Sequence, residues 1–275
     1  MYVEPKVVAV AVAGRYAIED TLGRGGTTTV FLGREAGGRA RVAVKVLHPE
    51  LATAVAKRRF HREVEFLRTL SHPNILPVLL SEEAGPLLYY VTPYAGGGSL
   101  AALLAAGGRL PLDQTITIVR DVAAALDHAH AHNVLHRDVK PANILFDAER
   151  VMVCDFGIAR AIEAAGEESS SGIVVGTPAY MSPEQARGQS PLGPASDIYA
   201  LGCVAFEMLA GQAAFTGPTV QAIVARQAQQ APPRLSIVRP DLPAHVESAI
   251  LQALAKEPGD RPSSAGEFAR RLAGP

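Results

Sequence analysis

Three consecutive glycines, Gly96-Gly97-Gly98, divide the chain into two stretches with different hydrophobic periods. Upstream, from Tyr16 to about Val91, the pattern is strand-like. Tyr16 to Leu22 and Val30 to Arg34 flank a Gly/Thr turn and predict a hairpin. Arg41 to Leu47 (RVAVKVL) and Leu87 to Thr92 (LLYYVT) predict two more strands. Between these, Ala54 to Leu70 places Phe60, Val64, Leu67 and Leu70 on one helical stripe. Downstream the period becomes helical. Asp113 to His132 is amphipathic through Val119, Val122, Leu126 and Ala129. Ile198 to Leu209 is apolar nearly all round, with Glu207 its only charge, which predicts burial at the centre of a domain. Pro218 to Gln230 and Pro243 to Lys256 predict further surface helices. The expected fold is α+β: a small β-rich lobe, about 14–95, joined near Pro93 to Gly98 to a larger, mainly helical lobe, about 96–275.

Composition narrows the function classes. The 275 residues carry a formal net charge of -1, without the basic excess that nucleic-acid binding usually requires. Cys154 and Cys203 are the only cysteines, each inside an apolar run, so neither a disulfide framework nor a CxxC knuckle can be built. A reducing, cytoplasmic setting follows as the expectation. No stretch reaches the roughly 18 to 20 apolar residues of a membrane span. Residues 1–13 hold an apolar run, Val7 to Ala13, at the short limit of a signal-peptide core but with no clear cleavage context. They read as a flexible or loosely docked extension.

Four groups of residues carry chemistry. Leu22-Gly23-Arg24-Gly25-Gly26-Thr27-Thr28-Thr29-Val30 lies between two predicted strands. Its glycines would let backbone N–H groups approach phosphate oxygens, although the same residues also suit an ordinary hairpin turn. Lys45 follows Val42-Ala43-Val44 in a strand, so it points to one defined face. Glu63 falls three residues after Phe60 and four before Leu67, beside the inward stripe, whereas Glu65 lies opposite. An inward carboxylate needs a cation, and Lys45 is the candidate. Finally, His136-Arg137-Asp138-Val139-Lys140-Pro141-Ala142-Asn143 is followed by Asp155-Phe156-Gly157. Asn143 and Asp155 near Asp138 make a hard-oxygen set suited to Mg²⁺, with Asp138 placed to orient a hydroxyl during in-line phosphoryl transfer. His128, His130 and His132 could suggest a metal, but at i, i+2 and i+4 only the outer two share a helix face, so no metal site is expected there.

This ordered set, closed by Ser182-Pro183-Glu184, resembles the eukaryotic-type protein kinase signature over about Gly14 to Leu272. With Gly14-Arg15-Tyr16 and Pro183-Glu184-Gln185, it is most similar to the bacterial Hanks-type serine/threonine kinases. The resemblance implies a bilobal kinase domain at 14–275. Leu22 to Val30 would cover the ATP phosphates, and Lys45 would hold the α- and β-phosphates while paired with Glu63. Ala43 and Leu145 would sandwich adenine, with Thr92 as gatekeeper and Pro93-Tyr94-Ala95 as hinge. Asp138 would be the catalytic base and Lys140 would steady the γ-phosphate. Asn143 and Asp155 would bind Mg²⁺, for which Mn²⁺ could substitute. Thr177 would contact both Asp138 and Lys140. Glu184 would pair with Arg261, and Asp197 would bond the catalytic-loop backbone. His136, Phe156 and Leu67 would join the packed column between lobes. Thr28 in place of a third glycine, and Pro93 in place of a hinge acid, depart from the pattern without touching the chemistry.

Regulation is likewise an implication of the family. Arg137 would bind an activation-loop phosphate, with Ser169 or Ser171 as the autophosphorylated residue and Arg160 in support. Protein substrates with serine or threonine acceptors are the expected partners, with a homodimer for trans-autophosphorylation. The chain would be a stand-alone cytosolic kinase or the cytosolic domain of a longer membrane-anchored receptor kinase. A pseudokinase scaffold is the alternative, and it would typically lack one of Lys45, Asp138 or Asp155, all of which are present. A small-molecule phosphotransferase would generally lack the Ser-Pro-Glu segment.

Overall fold

Strands β1 (Tyr16–Arg24), β2 (Thr28–Glu35), β3 (Arg41–Leu47), β4 (Leu80–Ala84) and β5 (Leu87–Pro93) form one antiparallel sheet in the order β1-β2-β3-β5-β4. The structure is a computed structural model that describes residues 3–156 and 178–275. The chain folds into two compact units. Among the described residues, the first comprises 3–71 and 76–95, and the second 72–75, 96–156 and 178–275.

In the first unit, β3 is buried on both faces because its alternation is apolar on both sides. Val42, Val44 and Val46 face one way, into a core with Phe31, Leu87, Tyr89 and Val91. The residues that complete this core come from the N-terminus. Helix α1 (Pro5–Ala11) and its flanks insert Val3, Val8 and Val12, which are 4%, 0% and 2% exposed. The segment read as a flexible or loosely docked extension is therefore a packed helix. The β-branched outer face of the sheet needed a cover, and the valines at 8 and 12 share one helix face. Ala43 and Lys45 face the opposite way. There helix α2 (Ala54–Thr69) buries Phe60, Val64 and Leu67, as its periodicity predicted, and the Phe60 ring lies 5.9 Å from that of Tyr90.

The second unit is mainly helical. It contains α3 (Leu100–Gly107), α4 (Leu112–Ala131), α5 (Pro183–Ala186), α6 (Pro194–Ala210), α7 (Val220–Gln229), α8 (Ala244–Ala253) and α9 (Ala265–Ala273), with the hairpin β6 (Ile144–Asp147) and β7 (Arg150–Val153). As its composition required, α6 is buried nearly throughout and runs through the centre. It approaches α8 so closely that a Cβ on Gly202 would sit 2.9 Å from the Ala253 Cβ. Sequence-coded caps set the helix starts. Ser99, Thr219 and Ser264 each accept a backbone N–H three residues on, and Ser182 forms a capping box with Gln185. Asp127 of α4 accepts the amides of Ala265 and Gly266, fastening α9 to α4 across 138 and 139 residues of sequence.

Candidate active site

The phosphate-facing candidates lie in the first unit. Residues 25–27 turn between β1 and β2, with the Gly25 amide on the Thr28 carbonyl at 2.8 Å. Leu22, Arg24, Gly25 and Gly26 are exposed, and a Cβ at Gly23 or Gly26 would meet nothing within 4 Å. The backbone there is open to a ligand, while Thr29 is buried and bonded to the His48 ring at 3.2 Å. Val30 pairs with Lys45, and Lys45 with Tyr90, so the register of three strands sets the lysine's position. Its side chain is 6% exposed, with Nζ 5.7 Å from the Tyr90 ring centroid.

Ala43 lies directly across from Thr92, both buried, on the lysine's face of the sheet. Thr92 Oγ1 donates to the Pro93 carbonyl at 3.2 Å. The Tyr94 amide donates to the Arg41 carbonyl at 3.1 Å, so within the expected hinge this donor is already engaged, and Ala95 supplies the next amide. One expectation is corrected. Glu63 is half-buried, and among the described residues its carboxylate makes no ion pair with Lys45. Burial of Phe60, Val64 and Leu67 sets the roll of α2 and leaves Glu63 on the flank of the stripe.

The catalytic-loop candidates lie in the second unit and are held by hydrogen bonds. Asp197, at the start of α6, is 1% exposed and accepts from the amides of His136 (2.8 Å) and Arg137 (2.7 Å) and from His130 Nε2 (2.7 Å). Burial alone would raise its carboxyl, but the bonds from His130 and the loop amides outweigh that and hold it below the ordinary value. His136, fully buried, donates from Nε2 to the Cys154 carbonyl (2.9 Å), so Nδ1 accepts the Asp138 amide (3.2 Å). Its ring packs at a tilt against Phe156, with centroids 4.6 Å apart. Arg137 and Asp155 adopt left-handed backbone, φ 68 and 66, a strain this network maintains.

Lys140 Nζ lies 2.5 Å from Asp138 Oδ2, and Asn143 Nδ2 donates to the Asp138 carbonyl (2.8 Å) and to Oδ2 (3.1 Å). Two bonds therefore fix the Asn143 amide and leave its Oδ1, a hard acceptor, unspent by them. Cys154 donates its amide to the Asn143 carbonyl at 3.0 Å, which ties the strand leading to Asp155 to the same loop. Among the described residues no cluster of three or more His, Cys, Asp or Glu forms a preformed metal cage. Asn143 Oδ1 and the Asp155 carboxylate are hard oxygens of the kind Mg²⁺ takes, an ion that accepts one or two protein oxygens and completes its shell with water and phosphate. Leu145 is half-buried and bridges Ser99, and at Gly97 a Cβ would stand 2.7 Å from the Phe146 carbonyl, so only glycine permits that approach.

The segment from Ser182 to Gln185 is anchored by a buried ion pair. Arg261 grips Glu184 with both terminal nitrogens, at 2.7 and 2.8 Å, and Ser196 Oγ donates to the same carboxylate at 2.7 Å. Burial acts to raise Glu184, but Arg261 and Ser196 prevail and hold it at about 2. Two contributors carried no sequence signal for their roles. Gln185 Nε2 donates to the Arg137 carbonyl (3.0 Å), and His130 anchors Asp197 from 67 positions away. Gly157, Arg160, Ser169, Ser171 and Thr177 lie outside the described residues.

The protein kinase domain family matches residues 16–271. The chain belongs to that family. This kinase domain is 39% identical over 261 residues to the serine/threonine-protein kinase PknB of Mycobacterium tuberculosis, a match covering 92% of this chain and 42% of PknB. It is 37% identical over 265 residues to the serine/threonine-protein kinase Pkn1 of Myxococcus xanthus, covering 94% of this chain and 38% of that protein. The chain thus spans under half the length of these curated relatives. Among solved structures, the M. tuberculosis PknI kinase domain superposes with TM-score 0.74 at 32% identity, covering 94% of this chain and 95% of that one. Rad53 residues 1–466 in complex with AMP-PNP gives TM-score 0.79 at 25% identity, covering 94% and 64%.

Proposed function

We propose that this domain transfers the γ-phosphoryl group of Mg-ATP to serine or threonine hydroxyls of other proteins. The observation that supports this most is the convergence of Lys140 and Asn143 on Asp138. That arrangement holds one carboxylate beside a cation and a fixed amide, which suits a group that must orient a hydroxyl while charge develops nearby. Bound Mg-ATP would supply the electrophilic phosphorus and neutralise phosphate charge.

The chain's own residues would do the rest. Asp138 accepts the hydroxyl proton and Lys140 steadies the transferring group. Asn143 and Asp155 present oxygens to the metal, and Lys45 aligns the phosphates under the turn at 22–30. Ala43, Leu145, Thr92 and the 93–95 main chain bound the base. Movement of α2 would bring Glu63 to Lys45 in the working state. Ser169 or Ser171 would be autophosphorylated in trans within a homodimer, with Arg137 receiving the phosphate and Thr177 linking Asp138 to Lys140. The natural protein would be a cytosolic kinase or the cytosolic part of a membrane-anchored receptor.

The test is transfer of labelled phosphate from ATP–Mg²⁺ to a generic basic protein by wild type and Asp138→Asn. Transfer by wild type and its loss in the variant is the expected result. Wild-type protein that binds nucleotide but transfers nothing would give the pseudokinase reading instead. Peptide-mapping mass spectrometry after the same incubation should show phosphate on 157–177, and its absence there removes the autophosphorylation step.

A further inference from the structure

Three histidines outside the catalytic loop form a column in the second unit. The His72 and His128 ring centroids are 5.1 Å apart, and those of His128 and His132 are 4.5 Å apart. His132 Nδ1 lies 2.8 Å from the His128 carbonyl. His128 Nε2 is buried and has no hydrogen-bond partner among the described residues. No carboxylate pairs with any of the three rings among the described residues. Three titratable or charged groups on α4 and β7 have partners of their own. On α4, Asp127 accepts the Ala265 and Gly266 amides, and His130 bonds Asp197. On β7, Arg150 pairs with Asp147.

What the column supports is a turn. His72 Nδ1 accepts the Asn74 amide at 3.1 Å, and the His72 carbonyl accepts the Ile75 amide at 3.0 Å. Asn74 in turn holds β7 at two points: its Nδ2 donates to the Val151 carbonyl and its carbonyl accepts the Val153 amide, both at 2.8 Å. Ile75 and Val153 form a parallel bridge. Val153 is two residues from Asp155.

We propose that His72, packed against His128, which in turn packs against His132, is a pH-sensitive positioning residue that clamps the strand leading to Asp155. In the clamped state Nδ1 is an acceptor, so the ring proton sits on Nε2. A proton taken from solvent at Nδ1 turns that atom into a donor facing another donor, the Asn74 amide, and adds a charge against a stacked ring. The turn then loses one of its two internal bonds, and the hold that Asn74 has on β7 weakens. Burial, followed by the nearby His128, depresses the His72 pKa. A lowered imidazole favours the neutral form in the folded state. Its contribution is therefore complete above the ordinary value of about 6.5 and is lost as pH falls below it, where the unfolded chain binds the proton first.

The test combines ring-nitrogen NMR titration from pH 8 to 5 with amide exchange at Asn74 and Val153, in wild type, His72→Asn and His128→Phe. None of these readings needs ATP, so their outcome is separate from that of the proposed transfer reaction. In wild type, the His72 ring is expected to titrate below the ordinary value. Val153 exchange, corrected for its intrinsic pH dependence, should accelerate about fivefold as it does so, the equilibrium factor of one ordinary hydrogen bond. Asn at 72 retains an acceptor for the Asn74 amide but cannot titrate, so this acceleration should vanish. Phe at 128 keeps the stacking without the charge, so the His72 midpoint should move up. A wild-type midpoint at or above the ordinary value would overturn the clamp, as would acceleration that persists in His72→Asn. Should His72→Asn fail to fold, an unchanged His72 midpoint in His128→Phe would overturn it equally.

Discussion

The two units hold their chemical residues by different physics. In the first, Lys45 is placed by strand register and by apolar layers on both faces of β3, while the glycine-rich turn leaves open space at Gly23 and Gly26. In the second, the catalytic loop is placed by a polar network that converges on one buried carboxylate, Asp197, and on His136. Apolar layers have many interchangeable contacts, so a single loss is graded. A buried polar network has few members, and each loss leaves a partner unsatisfied. The first unit should therefore tolerate change that the loop in the second does not.

That contrast can be broken or sharpened by experiment. The largest effect is expected from Asp138→Asn, which should lower the phosphate-transfer rate about 10³-fold with little change in unfolding midpoint. A matching loss of stability would show that Asp138 is structural rather than chemical. Asp197→Asn comes next. It offers the Arg137 amide a donor where an acceptor stood, and should cost about 3 kcal/mol in urea unfolding while also slowing transfer. Stability within error of wild type would remove the claim that this carboxylate organises the loop.

Glu184→Gln should be comparable at neutral pH, because it leaves the fully buried Arg261 guanidinium without its counter-charge. It also carries a pH signature. The folded carboxyl sits at about 2 against an ordinary 4.5, so its stabilisation is present above 4.5 and is lost as pH falls towards 2. The acid limb of the stability curve should flatten in the variant, and an unchanged limb would discount the ion pair.

In the first unit, Val8→Ala should cost about 2 kcal/mol, the transfer and cavity terms of one small buried side chain, with the KM for ATP raised only modestly. No loss would mean that α1 does not contribute to that core in solution. The smallest effect is expected for Gly26→Ala. A Cβ there meets nothing, so stability should stay within about 0.5 kcal/mol while ATP binding weakens.

The parts of this molecule that were legible in sequence are those whose signal is local. The stripe Phe60, Val64 and Leu67 is buried as its spacing required, and Arg41 to Leu47 is a strand buried on both faces. The loop from His136 to Asn143 was legible because its residues act on one another within a few positions. Short elements were not. The four-residue strands β6 and β7 and the cover helix α1 carry too few periods to register. His130 drew attention as a possible metal ligand and is instead the partner of Asp197. Nothing adjacent to it in sequence announces a carboxylate 67 positions away.

By itself, the sequence determined which residue types are available for phosphoryl transfer, their order, and the secondary structure that carries most of them, because side-chain period and local spacing are properties of the chain. Only the tertiary structure decided which further donors complete the network. Beyond the pairings of Asp197 with the loop amides and of Glu184 with Arg261 that the family resemblance implied, His130 closes on Asp197 and Gln185 on the Arg137 carbonyl, because the roll of a helix and the approach of distant segments are set by how whole faces bury.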